Sequence, residues 1–327
     1  MIDKKGYEFS FAWIFAIIVG AIVIFLAVYF ATKIIESKRF EEETKTGKSL
    51  GTFLNPLATN LEQAKSATIV VPDETKIFSS CDDRDIFGTQ EISTAVKTGS
   101  LGRSIAEESG ATVSFHDRYI FSEKEINGKE EFYVLSKPFE LPFKIADVTF
   151  LWGDQDFFCF VNPLSDIEKE LQKLNLTNVE IVENFGECGV GSKKVCFAVG
   201  SNCEILVDTT NKVVRKGSVN LNYVESLEST DKFSLLYAAI FSDPDIYECQ
   251  VKRLMKRASA LAEVYRKKMN YFSVHSSCIR GTSLTADLDS YISSTFNYAT
   301  SQELSLIKSK AYDVQTKNGA LTPCRLF

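Results

Sequence analysis

Eight cysteines and two histidines hold most of the reactive side-chain chemistry of this chain, and their spacing restricts what that chemistry can be. The cysteines are Cys81, Cys159, Cys188, Cys196, Cys203, Cys249, Cys278 and Cys324, and none forms a Cys-x-x-Cys pair. Tetrahedral zinc of the finger or ribbon kind uses such pairs, so no metal is expected. An even cysteine number suits disulfides, which persist in an oxidising compartment. Cys188, Cys196 and Cys203 lie close together around two expected strands, where short-loop bridges would form. Cys249, Cys278 and Cys324 fall in or beside successive parts of a helical region, where bridges would tie helices together. The sequence leaves the connectivity open, and buried thiols in a cytoplasmic domain are the alternative.

His116 stands in "SFHDRY" beside Asp117, and His275 in "SVHSSC" beside Ser276, Ser277 and Cys278. A Ser or Cys nucleophile needs a base within hydrogen-bond reach and a third group to orient it. Adjacency along the chain does not supply that geometry. Neither a Gly-x-Ser-x-Gly elbow nor a cysteine-protease signature is present, so no catalytic residue is assigned. "CDDRD", Cys81 to Asp85, offers oxygen ligands for a hard cation but lacks the alternation of an EF-hand loop; it reads as a solvated turn. "GECGVGSKK" from Gly186 places Ser192 before Lys193, the reverse of a phosphate loop, and a strand follows; it reads as a loop between strands. No cofactor is expected.

Lys252, Arg253, Lys256 and Arg257 form a basic run, continued by Arg266, Lys267 and Lys268. In a chain of net charge -6 such a surface could meet an anionic partner, lipid headgroups or a surface polymer. The alternative is the solvated face of a packed helix. The acidic overall balance gives no reason to expect nucleic acid.

These residues must be positioned by a chain of 327 residues, 45% of them apolar, enough for about two domains once any anchor is set aside. "KKGYEFSFAWIFAIIVGAIVIFLAVYFATK", residues 4–33, has no charged side chain between Glu8 and Lys33. Residues 9–32 make a helix of roughly 36 Å, enough to cross a hydrocarbon core of about 30 Å. The run is apolar on every face, and Trp13 and Tyr29 sit near its ends, where amphipathic rings favour the interface. A secretory signal has an apolar stretch of about 7 to 15 residues and a small-residue cleavage site. This run is longer, and "ATKIIESKRF" does not supply that site. It reads as a retained transmembrane helix, with the lipid bilayer as its partner through residues 9–32.

Lys4 and Lys5 precede the helix, whereas Lys33, Lys38 and Arg39 follow it, which by charge alone leans toward a cytoplasmic C-terminal part. The short preceding tail, the cysteines and the glycosylation acceptor "NLT" at Asn175 pull the other way. The favoured reading is a single-pass cell-membrane protein with an extracytoplasmic C-terminal domain.

Residues 33–66 read as a charged, partly amphipathic helical stalk. Residues 67–225 read as a strand-rich α+β domain. Within it, "EINGKE" signals a hairpin at Asn127-Gly128, "DTTNK" a second, and "NPLSDIEKELQKLNL" a crossover helix capped by Ser165. Residues 226–327 read as a helical region packed on that domain. Its clearest helix runs from Asp243 to Phe272, with Tyr247, Val251, Leu254, Ala258, Leu261, Tyr265 and Phe272 on one face and Lys268 interrupting. The fold class is therefore an N-terminal transmembrane helix followed by a mixed α+β domain, strand-rich and then helical.

"KKGYEFSFAW" followed by a long apolar helix resembles the N-terminus of archaeal type IV pilins and pilin-like, class III signal-anchored surface proteins. The likeness spans about 35 residues, residues 1–8 standing as the leader. It implies that Lys5 and Gly6 are read by a prepilin-type peptidase, leaving Tyr7 first in the mature chain. The helix would then anchor the protein or pack in a filament core. Many pilins carry Glu at the fifth mature position, whereas Glu8 here is the second.

Three functions compete on this reading. The first is a cell-surface structural or adhesive protein with a disulfide-stabilised head, which assembles with itself or contacts a surface protein or polysaccharide. The others are a membrane-tethered hydrolase and an inward-facing scaffold. The scarcity of catalytic motifs favours the first.

Overall fold

The computed structural model describes residues 13–34, 65–96, 112–197, 203–227, 232–275, 282–321 and 324–327. Helix α1, Trp13–Ile34, has a mean hydropathy of 2.9 in its most apolar stretch and is long enough to cross a bilayer. It buries none of that stretch against the rest of the chain. In water that exposure would be costly; in lipid a helix satisfies its own backbone, and apolar side chains cost nothing. The expected stalk lies outside the described residues except at its ends.

The head begins with β1 (Lys65–Val70), β2 (Thr75–Asp82), β3 (Thr89–Val96), β4 (Val113–Phe115), β5 (Tyr119–Phe121) and β6 (Glu125–Gly128). It continues through β7 (Glu131–Glu140), β8 (Lys144–Gly153), β9 (Phe158–Val161), helix α2 (Ser165–Leu174) and β10 (Val179–Val182). Strands β11 (Lys193–Cys196), β12 (Ile205–Asp208), β13 (Val213–Lys216) and β14 (Val219–Asn222) follow. Four helices close the chain: α3 (Ser234–Phe241), α4 (Pro244–His275), α5 (Thr282–Phe296) and α6 (Leu304–Gly319).

The strands form three sheets, ordered β1-β7-β8-β5, β4-β3-β2-β6 and β10-β9-β11-β12-β13-β14. The first is central, because the period of two in its long strands is apolar on both faces. Phe132 and Val134 of β7 pack with Ile77, Ile92 and Ile126 of the second, outer sheet. Tyr133 and Leu135 point the other way, with Val148, Phe150 and Trp152 of β8, into the core shared with α3 and α4. Strands buried on both faces read as continuous apolar runs, which is why "EFYVLS" and "ADVTFLWG" stand out.

Strands β2 and β3 do not stand out. Their buried faces carry Thr75, Ser79, Gln90 and Thr94 among the isoleucines. Gln90 donates to Ser79 Oγ (3.2 Å) and the Ile120 carbonyl (2.9 Å), and its own oxygen accepts the Ile120 N–H (2.9 Å). Polar atoms satisfied in this way carry little burial penalty, so the alternation breaks without breaking the strand.

The expected hairpin at Asn127-Gly128 is corrected. Those residues end β6, which pairs with β2, whereas β7 pairs with β1 and β8. The chain changes sheets here because the Asp154 carboxylate accepts the N–H groups of Lys129 (2.9 Å), Glu130 (2.8 Å) and Glu131 (3.2 Å). The crossing is so close that a Cβ on Gly153 would lie 1.9 Å from the Asn127 carbonyl oxygen. The second hairpin forms as expected: β12 and β13 pair antiparallel, and Asp208 Oδ1 accepts the Thr210 and Asn211 N–H groups.

The crossover also forms, with β9 and β10 parallel and α2 between them, burying Ile167 and Leu171. Ser165 is the first helical residue rather than its cap; Leu164 occupies that position without a side-chain bond. Helix α3 is buried on every face. In α4, Tyr247, Val251, Leu254 and Ala258 enter the main core, and Leu261, Tyr265 and Phe272 border it, as their spacing predicts. Lys268 is accommodated by donating to the Leu326 carbonyl at 2.6 Å.

Candidate functional site

The chemistry-bearing residues are drawn chiefly to one seam, where α4 meets the loop after β2 and the turn before β5. Cys249, in the second turn of α4, is bridged to Cys81 of β2 with 6.1 Å between Cα atoms. The expectation that Cys249 ties helix to helix is thereby corrected; it ties helix to sheet. One turn further on, Lys252 pairs with Asp83 at 2.8 Å. Arg253 is fully buried. Its guanidinium donates to the carbonyls of Phe87 (3.0 Å), Arg118 (2.8 Å), His116 (3.0 Å) and Phe115 (3.3 Å), and to Gln250 Oε1 (2.7 Å). Lys256 donates to the Asp83 carbonyl and to that of Asp85 (2.8 Å), and Arg257 to that of Ile145 (2.7 Å).

The reading of these four residues as a surface for an anionic partner therefore fails for Arg253, which solvent does not reach. The other three are turned toward backbone carbonyls and Asp83. A guanidinium is weakly hydrated and has donors in a fixed fork, so it suits a cluster of carbonyl oxygens better than an ammonium would. Burial lowers its pKa from the usual arginine value, opposed by Tyr119 and Asp117 nearby.

The loop so held is the acidic one. Asp82 Oδ1 and Oδ2 each accept from Arg84 Nε at 2.9 Å, and these bonds hold the Asp82 carboxyl down to about 2. The expected turn at "CDDRD" is met only in part: Cys81 and Asp82 end β2, and Asp83–Asp85 begin the bend that follows. Its rigidity comes from α4, and Ile86 and Phe87 are left exposed at its far side. His116 belongs to the same seam: its Nδ1 lies 3.3 Å from both Thr89 Oγ1 and the Gly88 carbonyl. No nucleophile–base pair is built there among the described residues. His275 ends α4.

The third sheet carries two further bridges, Cys159–Cys188 and Cys196–Cys203, with Cα separations of 5.8 and 6.0 Å. Cys159, Val161, Cys196 and Leu206 alternate with core-facing residues and form a small buried cluster apart from the main core, on a face that no described helix is shown to cover. The disulfides cover it instead. Of the short-loop bridges expected among Cys188, Cys196 and Cys203, one forms, and Cys188 reaches back to β9. Cys324 is disulfide-bonded as well, and Cys278 lies outside the described residues. Glu180 stands beside Cys159 and Cys188, within metal-ligand reach of their sulfurs. Those sulfurs are bonded to each other, and Glu180 accepts the Gly189 N–H at 2.9 Å.

Of "GECGVGSKK", Gly186–Ser192 lie between β10 and β11, and Lys193, the first residue of β11, is occupied by Asp156 (2.8 Å) and Glu123. Asn175 is exposed, in the left-handed position that ends α2. Lys5 and Gly6 lie outside the described residues.

Two cations, one buried and one half-buried, escaped the sequence reading. Lys137 of β7 pairs with Glu170 of α2 and lies 5.3 Å from the Tyr237 ring centre. Lys216 of β13 donates to the carbonyls of Ile240 (2.6 Å) and Ser242 (2.7 Å) at the end of α3. Burial lowers Lys216 to about 8, opposed by Glu123 and Asp243. The only signal available was a lysine inside an otherwise strand-like run. Comparison with protein families, with curated proteins and with solved structures gives no match for this chain.

Proposed function

We propose that this chain is a membrane-anchored surface protein whose disulfide-stabilised head acts by contact rather than catalysis. The observation that carries the proposal is the pairing of a fully exposed apolar helix with a head in which no described cysteine is free. Disulfides at this density belong to an oxidising compartment, so the head faces outward and α1 is the anchor. The basic seam supports the contact reading too, because its cations are spent on holding a loop in place. The inward-facing alternative would require these thiols to be reduced.

The pilin-like start extends this reading: cleavage after Gly6 would leave Tyr7 at the mature N-terminus, with α1 as anchor or filament core. Mass spectrometry of protein from its native membranes tests both levels. The expected result is protein retained after alkaline carbonate extraction, with all cysteines bridged and the N-terminus at Tyr7. Carbonate-soluble protein with reduced thiols would overturn the anchored, outward-facing reading. An intact Met1 would remove the pilin-like extension alone.

A further inference from the structure

Strand β2 is paired along all eight of its residues by β3, but on its other side β6 covers only Thr75 to Phe78. The Ser79 N–H donates to the Lys124 carbonyl at 2.8 Å, so odd-numbered residues of β2 turn their backbone groups toward the β6 side. Cys81 is the next odd position. Its N–H and C=O therefore face a side where no strand follows among the described residues. Along this stretch run two clefts of about 450 and 400 Å³, which share Cys81 and Asp245 and so form one groove.

An open strand edge normally invites uncontrolled pairing and is blunted by bulges, proline or cover. This one is instead kept rigid. The Cys81–Cys249 bridge fixes its middle, Lys256 holds the Asp83 and Asp85 carbonyls, and Arg253 holds that of Phe87. The groove wall carries six carboxylates: Asp82, Asp83, Asp245 and Glu125 pair with Arg84, Lys252, Lys124 and Lys76, and Glu91 and Glu248 remain as its acidic surplus. Just past the groove the loop exposes Ile86, at 78% of its full accessibility, and Phe87.

We propose that the edge of β2 at Cys81, with the loop to Phe87 beside it, docks an extended, cationic polypeptide segment of a partner protein, which pairs with the Cys81 N–H and C=O. Backbone pairing supplies a sequence-tolerant grip, and side chains alternate between the acidic wall and solvent. The charge balance selects a lysine- or arginine-bearing strand over an acidic one. Because the edge is held in place beforehand, binding does not have to order it. The inference names the kind of partner that the head would contact and does not depend on the orientation of α1.

The test uses the full chain in detergent micelles and a fluorescein-labelled nonapeptide of alternating lysine and valine, read by anisotropy. Saturable binding is expected, at least tenfold weaker for Asp245→Lys, and absent for the same peptide with glutamate in place of lysine. Methylating the peptide's backbone nitrogens at alternate positions should abolish binding in one register and spare it in the other. Equal binding by both registers would overturn the proposal, leaving charge attraction alone. Binding of the glutamate peptide, or of none, would also overturn it. Self-association of the chain that Asp245→Lys abolishes would assign the edge to a second copy and overturn the partner proposed. None of these outcomes bears on carbonate extraction, so this proposal and the anchored reading fail separately.

Discussion

Arg253 Nε donates to the Phe87 carbonyl at 3.0 Å, joining the second sheet's loop to a helix 166 residues later in the chain. The same guanidinium gathers three more carbonyls from the turn before β5. A buried cation with that many acceptors is a structural clamp, and its loss leaves several buried carbonyls unpaired at once.

Arg253→Met should therefore destabilise the head by about 3 kcal/mol or more, since one unsatisfied buried polar group alone costs about 1–3 kcal/mol. Arg253→Lys keeps the charge but loses the fork, and should recover only part of that. Urea denaturation of the head measures both. A loss below about 1 kcal/mol for the Met variant would show the carbonyls find other donors.

The three described bridges should contribute unequally. Cys81–Cys249 closes 168 residues of chain, whereas Cys196–Cys203 closes 7. On the chain-entropy account, replacing the first pair by alanine should cost about 3 kcal/mol more than replacing the second. Comparing the thermal transitions of the two double variants decides it.

Lys216 gives the head a signature above neutral pH. Burial lowers it to about 8 from its ordinary 10.5. Between those values the unfolded chain holds a proton that the folded chain has released, so stability rises with pH through the window. Below about 8 both states are charged and the burial penalty is felt in full. Relative to Lys216→Met, the wild type should gain on the order of 2 kcal/mol between pH 7 and pH 10. Paired urea titrations at the two pH values test this, and a constant gap would contradict the buried placement.

Gly153→Ala should be costly and Gly186→Ala nearly neutral. A methyl at 153 would lie 1.9 Å from the Asn127 carbonyl oxygen, whereas at 186 nothing lies within 4 Å. The expected losses are about 2–4 kcal/mol and under about 0.5 kcal/mol respectively, read from denaturation midpoints. Similar midpoints would mean that the crossing between sheets can relax.

Apolar periodicity made α1, β7, β8, the crossover around α2 and the buried face of α4 legible in the sequence, because in each the core imposes a repeat on the side chains. It did not show β2 and β3, where Gln90 and Ser79 satisfy each other inside the fold. It also misread Asn127-Gly128, since a turn dipeptide does not record which sheet the next strand joins; Asp154, 26 residues after Gly128, decides that. The basic run of α4 was legible as a run, but not the burial of Arg253 within it. Charge alone does not say whether lysine and arginine meet water or carbonyl oxygens, and the carbonyls that answer the question belong to residues 83–118 and to Ile145.

Because the clamp on β2 resides in α4, the head cannot mature in the order in which it is made. A ribosome delivers Cys81 and Phe87 long before Cys249 and Arg253, so until α4 is made the nascent outer sheet has neither its sulfur bridge nor its guanidinium. That early thiol waits for its partner through 168 residues of synthesis, and a chain cut short before α4 would carry neither the bridge nor the clamp.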